Sequence, residues 1–335
     1  MKCLVIAEAG VNHNADFDIA IQLIDAAVDS GADVVKFQTA IPSHVVTDKA
    51  KMAAYQIKNT GLSESQLEMT RKIHLPLEAF VGLSEYCKTR NILFATTAFD
   101  MVSLEFINKL NMPFNKIPSG EVTNLPYVRR IGQIGLPVIL STGMCDLIEI
   151  EAAIDVLLST GLDRSMITVL HCTSTYPAPF TDLNLKAIST IKERFNVRVG
   201  YSDHSLGIEI PIAAVALGAT VIEKHLTLDK SMPGPDHVAS IEPHEFKQMV
   251  EAIRNIESAL GDGDKRPVES ELKNIEIVRR SIVANSKIKK GDTFSETNLI
   301  CKRPATGMSP MLWDSLIGRI ATKDYSMDDL IEEVL

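Results

Sequence analysis

The sequence predicts an α/β fold, a (β/α)8 TIM-type barrel followed by a small β-rich module, and three observations carry that expectation. Eight short apolar runs occur in order: Leu4–Ala7, Val34–Gln38, Leu93–Thr97, Asn115–Pro118, Val138–Ser141, Thr168–Cys172, Arg198–Ser202 and Thr220–His225. Their apolar character is nearly continuous, as parallel strands covered on both faces require. Amphipathic stretches such as Asp18–Ser30, Asp146–Leu158 and Ile208–Leu217 separate them. Eight strand–helix units in the first ~260 residues match the length of such a barrel. A doubly wound sheet is the competing arrangement, but no GxGxxG follows the first strand.

The helical stretches carry their own stop signals. Gly31 follows Ser30 and Gly218 follows Leu217, where glycine suits a helix C-cap. The helix Glu245–Leu260 ends the eighth unit. After it, GDGDKRPVESE is polar and holds Gly and Pro, so it reads as a linker. The predicted organisation is a barrel over 1–262, a linker over 263–280 and a β-rich module over 281–335. A module of this size is near the lower limit for an independent core, so docking on another surface is expected.

Composition narrows the function classes. With 34 Lys+Arg against 43 Asp+Glu the net charge is −9, which argues against a general nucleic-acid binder but allows a local basic pocket. A hydrophobic content of 45% excludes a disordered or collagen-like chain. No apolar run reaches the roughly 18 residues of a membrane helix, and MKCLVIAEAG is too short in its apolar part for a signal peptide. Cys3, Cys87, Cys145, Cys172 and Cys301 are odd in number, scattered and without a CxxC pair. They read as free thiols, and a cytoplasmic location is expected.

Active sites of such barrels lie at the C-terminal ends of the strands. Those ends are polar here: Glu8 with Asn12, His13 and Asn14; Lys36 with Gln38; Thr96 and Thr97; Lys116 with Ser119 and Glu121; Ser141 and Thr142; His171, Ser174 and Tyr176; Ser202, Asp203 and His204; Glu223, Lys224 and His225. His204 and His225 end the seventh and eighth strands, and neighbouring strands stand ~4.8 Å apart, so both imidazoles reach one ion. Two histidines with open positions suit a divalent metal such as Mn²⁺. The alternative is that they only satisfy hydrogen bonds at the rim. Lys36, Lys116 and Lys224 support either a Schiff base or a cationic cradle for phosphate and carboxylate, and three together favour the cradle. Ion pairing with Glu8, Glu121 and Glu223 is the structural alternative. Ser119-Gly120 and Ser141-Thr142-Gly143 add hydroxyls and backbone N–H groups for phosphate oxygens. His44, His74 and His244 lie in segments that read as exposed, and Trp313, Met308 and Met311 read as packing.

Together these motifs resemble a known family. IAEAGVNHN, VVKFQT, KIPSGE, ILSTGM, LHCTSTYPAP, VGYSDHSLG, VIEKHLTLDKSMPGPDH and KKGD…CKRPATGMSP, in this order, are similar to sialic acid (nonulosonate) synthases across essentially the whole chain. The tail resembles the family's antifreeze-like (SAF) domain. AAYQIKNTGLSESQLEMT and LDKSMPGPDH look most like bacterial N-acetylneuraminate synthases, with legionaminate synthases nearly as similar.

The resemblance implies condensation of phosphoenolpyruvate with N-acetylmannosamine and water, giving N-acetylneuraminate and phosphate by C–O cleavage. The alternative acceptor is the 6-deoxy-di-N-acetyl hexose that gives N,N'-diacetyllegionaminate. A Schiff-base aldolase is the remoter reading. The resemblance also implies that His204 and His225 bind the metal, Mn²⁺ foremost, with Mg²⁺ or Co²⁺ as alternatives. It assigns Lys36, Lys116, Ser119, Ser141 and Ser202 to phosphoenolpyruvate, and Glu8 to the reacting carbons. Gln38, Tyr176 and Asp236 match acceptor positions, and Glu121 and Glu223 match acidic pocket positions. Arg303 matches an arginine that reaches the sugar from the partner subunit, which implies a homodimer with swapped tails. Two departures stand out: Ser174 replaces the Asn some synthases carry as a phosphoenolpyruvate contact, and NIEIVRRSI lacks the Phe some relatives place against the acetyl group.

Overall fold

The computed structural model describes residues 2–61 and 64–332. The chain divides into two compact units, Met1–Gly261 and Asp262–Leu335.

In the first unit, eight parallel strands stand close to their expected positions: β1 (Leu4–Gly10), β2 (Val34–Thr39), β3 (Leu93–Ala98), β4 (Asn115–Ile117), β5 (Val138–Ser141), β6 (Ile167–Cys172), β7 (Arg198–Asp203) and β8 (Val221–His225). The ladder order is β3-β2-β1-β8-β7-β6-β5-β4. β3 and β4, at its two ends, pack side by side and close the ring. No backbone ladder joins them among the described residues, and the Thr96 N–H meets the Met112 sulfur at 3.2 Å. On β4, neither polar atom of the Asn115 amide has a partner among the described residues.

Helices surround the ring and follow from local chemistry. Phe17–Asp29 begins where the Asp16 carboxylate accepts from the Asp18 and Ile19 N–H groups, at 2.8 and 3.0 Å. It buries Ala20, Leu23, Ile24 and Ala27, the three- and four-residue spacing of one helix face. Leu147–Ser159 begins with a reciprocal cap between Asp146 and Glu149. The connection from β2 to β3 is long and, among the described residues, holds four helices. Short helices Pro42–Val45, Ala54–Thr60 and Gln66–Ile73 precede the covering helix Ala79–Thr89.

The barrel interior is built in two-residue steps, the period at which a strand returns to the same face. Ile6, Val34, Ala95, Phe114, Ile139, Leu170 and Val221 form an apolar floor inside the ring, separate from the core between strands and helices. β7 supplies Gly200 at this level. A Cβ there would stand 2.4 Å from the Val221 carbonyl oxygen and 2.5 Å from Leu170 Cδ2, so the floor closes only with glycine. Two residues beyond each floor position come Glu8, Lys36, Thr97, Lys116, Ser141, Cys172, Ser202 and Glu223, and all eight line one cavity.

The second unit pairs β9 (Ser281–Ala284) with β10 (Leu299–Lys302) in antiparallel fashion. Ile282, Ile288, Phe294, Leu299, Leu316, Tyr325 and Ile331 are among its core residues. The stretch read as a linker, 263–280, holds the helix Glu269–Val278, none of whose residues is buried. Among the described residues no helix is long and apolar enough to cross a membrane.

Candidate active site

A cavity of about 330 Å³ opens at the C-terminal ends of the barrel strands. At its base, charged side chains alternate. Lys36 Nζ lies 2.6 Å from Glu8 Oε2 and 3.6 Å from Glu223 Oε2, and Lys116 Nζ lies 3.4 Å from Glu223 Oε1. Hydroxyls and amides complete the chain. Lys36 donates to Thr97 Oγ1 (2.9 Å), Lys116 to Ser141 Oγ (2.7 Å), Ser202 to Glu223 Oε1 (3.0 Å) and Gln38 to Glu8 Oε1 (2.9 Å).

Burial and neighbours split these groups. Burial works against the charge of Glu223, but Lys116 and Lys36 outweigh it and hold its carboxyl down at about 2. The Glu8 carboxyl is pushed up by burial, which Lys36 only partly offsets and Glu223 reinforces. Burial also opposes the charge on Lys36, yet the two carboxylates raise its pKa and keep it protonated. For Lys116 burial prevails over Glu223 and the pKa falls.

Ser119 and Gly143 form one wall. The Gly143 N–H donates to Ser119 Oγ at 2.9 Å, and Ser119 Oγ lies 3.3 Å from Cys172 Sγ. A Cβ on Gly143 would stand 2.1 Å from Ser174 Oγ, so the bare backbone lets Ser174 approach. On the other side, the rings of His204 and His225 lie 5.5 Å apart, with Tyr176 packed on both at 4.1 and 5.8 Å. Tyr55 stacks on Tyr176 at 5.0 Å, and Asn59 donates to the Pro235 carbonyl at 2.8 Å. Beside them Asp236 is buried, and burial with the nearby Glu8 raises its carboxyl to about 7.

The donor chemistry of the two histidines fits a divalent cation. Burial lowers both pKa values, so both rings are neutral. His204 Nδ1 lies 2.7 Å from the Thr173 carbonyl, which only accepts, so that nitrogen carries the proton and Nε2 keeps its lone pair. His225 Nδ1 is buried without a hydrogen-bond partner among the described residues. Among the described residues no group of three or more His, Cys, Asp or Glu is placed to hold a metal. The chain offers two nitrogen donors, and substrate and water would supply the remaining ligands.

The cavity brings together Glu8, Lys36, Gln38, Lys116, Ser119, Ser141, Ser174, Tyr176, Ser202, His204, Glu223, His225 and Asp236. Two expected residues of the first unit lie elsewhere. Lys224 does not join the lysine cradle. It is one step out of phase with Glu223 and His225, so it faces the helices, fully buried against Asp203 and the Ser205 carbonyl. Glu121 does not line the cavity, and its carboxylate accepts from Asn124 at 2.5 Å. Arg303 is exposed in the second unit, just after β10. Asn12 and Asn14 brace loops by donating to the Leu226 and Pro233 carbonyls. Thr97, one of the expected polar strand ends, lines the cavity, as do Cys172, Tyr55 and His74, for which there was no such expectation; His74, expected to be exposed, is half-buried there. Strand parity was the available signal for Thr97 and Cys172.

The sequence matches the NeuB family over residues 23–265 and the SAF domain over residues 279–332. It is 54% identical to the N,N'-diacetyllegionaminic acid synthase of Campylobacter jejuni subsp. jejuni serotype O:2 (99% of each chain). It is 46% identical to the enzyme of the same name from Legionella pneumophila subsp. pneumophila (95% of this chain, 90% of that one). Among solved structures it resembles N-acetylneuraminic acid (sialic acid) synthetase from Leptospira borgpetersenii serovar Hardjo-bovis, crystallised with citrate. The TM-score is 0.72 at 34% identity, over 82% of this chain and 91% of that one. The chain therefore belongs to the NeuB family, the phosphoenolpyruvate-dependent, carbon–carbon bond-forming nonulosonate (sialic acid) synthases, and ends in a SAF domain.

Proposed function

We propose that this chain is an N,N'-diacetyllegionaminic acid synthase, condensing phosphoenolpyruvate with the 6-deoxy-di-N-acetyl hexose. The observation that carries this is the 54% identity along 99% of both chains to a relative of that name, against 34% to the sialic acid synthetase. The expectation of N-acetylmannosamine as acceptor gives way to it.

In this reading Lys36, Lys116, Ser119, Ser141, Ser174 and Ser202 hold the phosphate and carboxylate of phosphoenolpyruvate. Glu223 spaces the two lysines and keeps Lys36 charged. Glu8 lies beside the reacting carbons. As C3 attacks the aldehyde, positive charge grows at C2, where Glu8 stabilises it or takes a proton from the water that adds there. The tetrahedral intermediate then loses phosphate. Gln38, Tyr176 and Asp236 contact the acceptor. Both cavity lysines are paired with carboxylates and both histidines are neutral, so little net positive charge meets a polyanionic donor. That deficit supports a divalent cation, Mn²⁺ in this proposal, on His204 and His225. Once bound, it supplies Lewis acidity at the acceptor aldehyde.

The assembly is part of the same reading: a homodimer in which the second unit of one chain brings Arg303 to the cavity of the other. The described lining residues include no arginine and no lysine beyond Lys36 and Lys116, which leaves the acceptor side short of a cation.

The test is phosphate release with each sugar in turn. The 6-deoxy-di-N-acetyl hexose should exceed N-acetylmannosamine in kcat/KM by roughly tenfold or more, the scale at which one altered substituent is discriminated. The reverse preference rejects the assignment.

A further inference from the structure

The reaction consumes an aldehyde, yet hexoses of this kind exist in water almost wholly as closed pyranoses. Opening the ring moves one proton off the anomeric hydroxyl and one onto the ring oxygen, which needs a group free to exchange both. Most titratable side chains of the cavity are committed. Glu223 is held by Ser202 and both lysines, and Glu8 by Lys36 and Gln38. Lys36 and Lys116 are bound to these carboxylates and to Thr97 and Ser141.

Asp236 is different. It lines the cavity at 8% exposure, and its carboxyl has no hydrogen-bond partner among the described residues. Its backbone is nonetheless fixed, because its carbonyl accepts from Ser240 Oγ at 2.7 Å and from the Ala239 N–H at 3.1 Å. The preceding carbonyl, Pro235, is held by Asn59. A rigidly mounted, unpartnered carboxyl beside the Tyr55–Tyr176 stack is placed to act on a sugar lying there.

We propose that Asp236 opens the acceptor's pyranose ring within the cavity, acting on both oxygens of the hemiacetal; this rests on the synthase reading above. The neutral carboxyl is the working form. Its carbonyl oxygen takes the proton of the anomeric hydroxyl while its O–H gives a proton to the ring oxygen. The C1–O5 bond breaks, its electron pair stays on O5, and C1=O1 forms. The carboxyl ends neutral, so no outside reagent is needed. The groups that bear on its proton are Glu8, Tyr55 and Tyr176. Burial and Glu8 keep the neutral form populated near pH 7, and both tyrosines are raised and so uncharged there.

The experiment compares two acceptors on the full-length enzyme: the cyclising sugar and its 5-deoxy aldehyde, which has no hydroxyl to close a six-membered ring. Wild type should release phosphate with both. Asp236→Asn should lose about 100-fold or more in kcat on the cyclising sugar, the scale of general acid–base catalysis, and at least about thirtyfold less than that on the 5-deoxy aldehyde, the loss of acceptor contact being common to both. Asp236→Ser goes through the same pair, so a folding defect in one variant does not decide the matter. Equal losses on the two acceptors would mean that Asp236 only binds, and would overturn the proposal. So would no loss on either, or a wild type that turns over the sugar but refuses the aldehyde. A wild type that releases phosphate with no acceptor would instead remove the synthase reading itself.

Discussion

Gly143→Ala tests whether the wall formed by Ser119, Cys172 and Ser174 is set by a missing side chain. The glycine has an ordinary backbone angle, so alanine brings no backbone strain. What it adds is a Cβ 2.1 Å from Ser174 Oγ and 3.1 Å from both Cys172 Sγ and Ser119 Oγ, where ordinary contact begins at 3.4 Å. The Ser174 hydroxyl must give way by over an ångström. Overpacking of this kind costs about 1–3 kcal/mol of stability, which a domain of this size withstands. Displacing a group that positions substrate by ~1 Å costs on the order of 100-fold in rate. The expected result is a folded protein whose kcat/KM for phosphoenolpyruvate falls about 100-fold, read by continuous phosphate release. The double variant Gly143→Ala/Ser174→Ala removes the 2.1 Å contact and should regain about tenfold over Gly143→Ala alone. A single variant within about threefold of wild type refutes the reasoning, as does a double variant that loses the product of the two single losses.

Glu223→Gln removes the anion between two lysines. The fall of its carboxyl from 4.5 to about 2, at about 1.4 kcal/mol for each tenfold change in acidity, makes the charge worth roughly 3 kcal/mol at pH 7. Because the folded value is the lower one, that advantage over the variant should be complete above about pH 4.5 and fade toward pH 2, as measured by denaturant midpoints; a constant gap across that range contradicts it. His225→Ala should weaken Mn²⁺ binding by more than about tenfold in calorimetry, and unchanged affinity removes the histidine pair from the metal site. For the assembly, Arg303→Ala and His204→Ala are refolded together. Swapped tails give mixed dimers with one intact site and a return of activity, whereas no return means that each tail serves its own barrel.

Much of the barrel was legible because parallel strands write themselves as continuous apolar runs, and all eight are found within a few residues of their expected ends. The site was legible to the extent that parity was respected. Floor and site residues are two apart on every strand, as in Ile6 and Glu8, Val34 and Lys36, or Val221 and Glu223. Lys224 departs from the expected lysine cradle because successive residues of a strand end face opposite ways, which puts it against Asp203 and the Ser205 carbonyl. Glu121 follows β4 in a short 3₁₀ turn, Ser119–Glu121, off the strand, so strand parity gives no guide to its placement. The segment from Pro42 to Ile73 was harder. Its helices are short, and Pro42–Val45 and Ala54–Thr60 bury no residue, so Tyr55 and Asn59 stand out only within the AAYQIKNTG stretch that carries the resemblance. Asp236 lies in a loop held by backbone hydrogen bonds, and only the resemblance singled it out.

The junction of β3 and β4 makes the ring a split washer rather than a closed hoop. Seven strand junctions are zipped by backbone hydrogen bonds, whereas this one leans on side chains, with a thioether standing in for a carbonyl at Thr96. Local opening begins where the fewest bonds must break, so amide exchange in β4 should outrun exchange in β1 and β8. Lys116 stands on one lip of the split and Thr97 on the other. Warming is therefore expected to spread the lysine frame before the hoop itself gives way, setting the ceiling for turnover below the ceiling for folding.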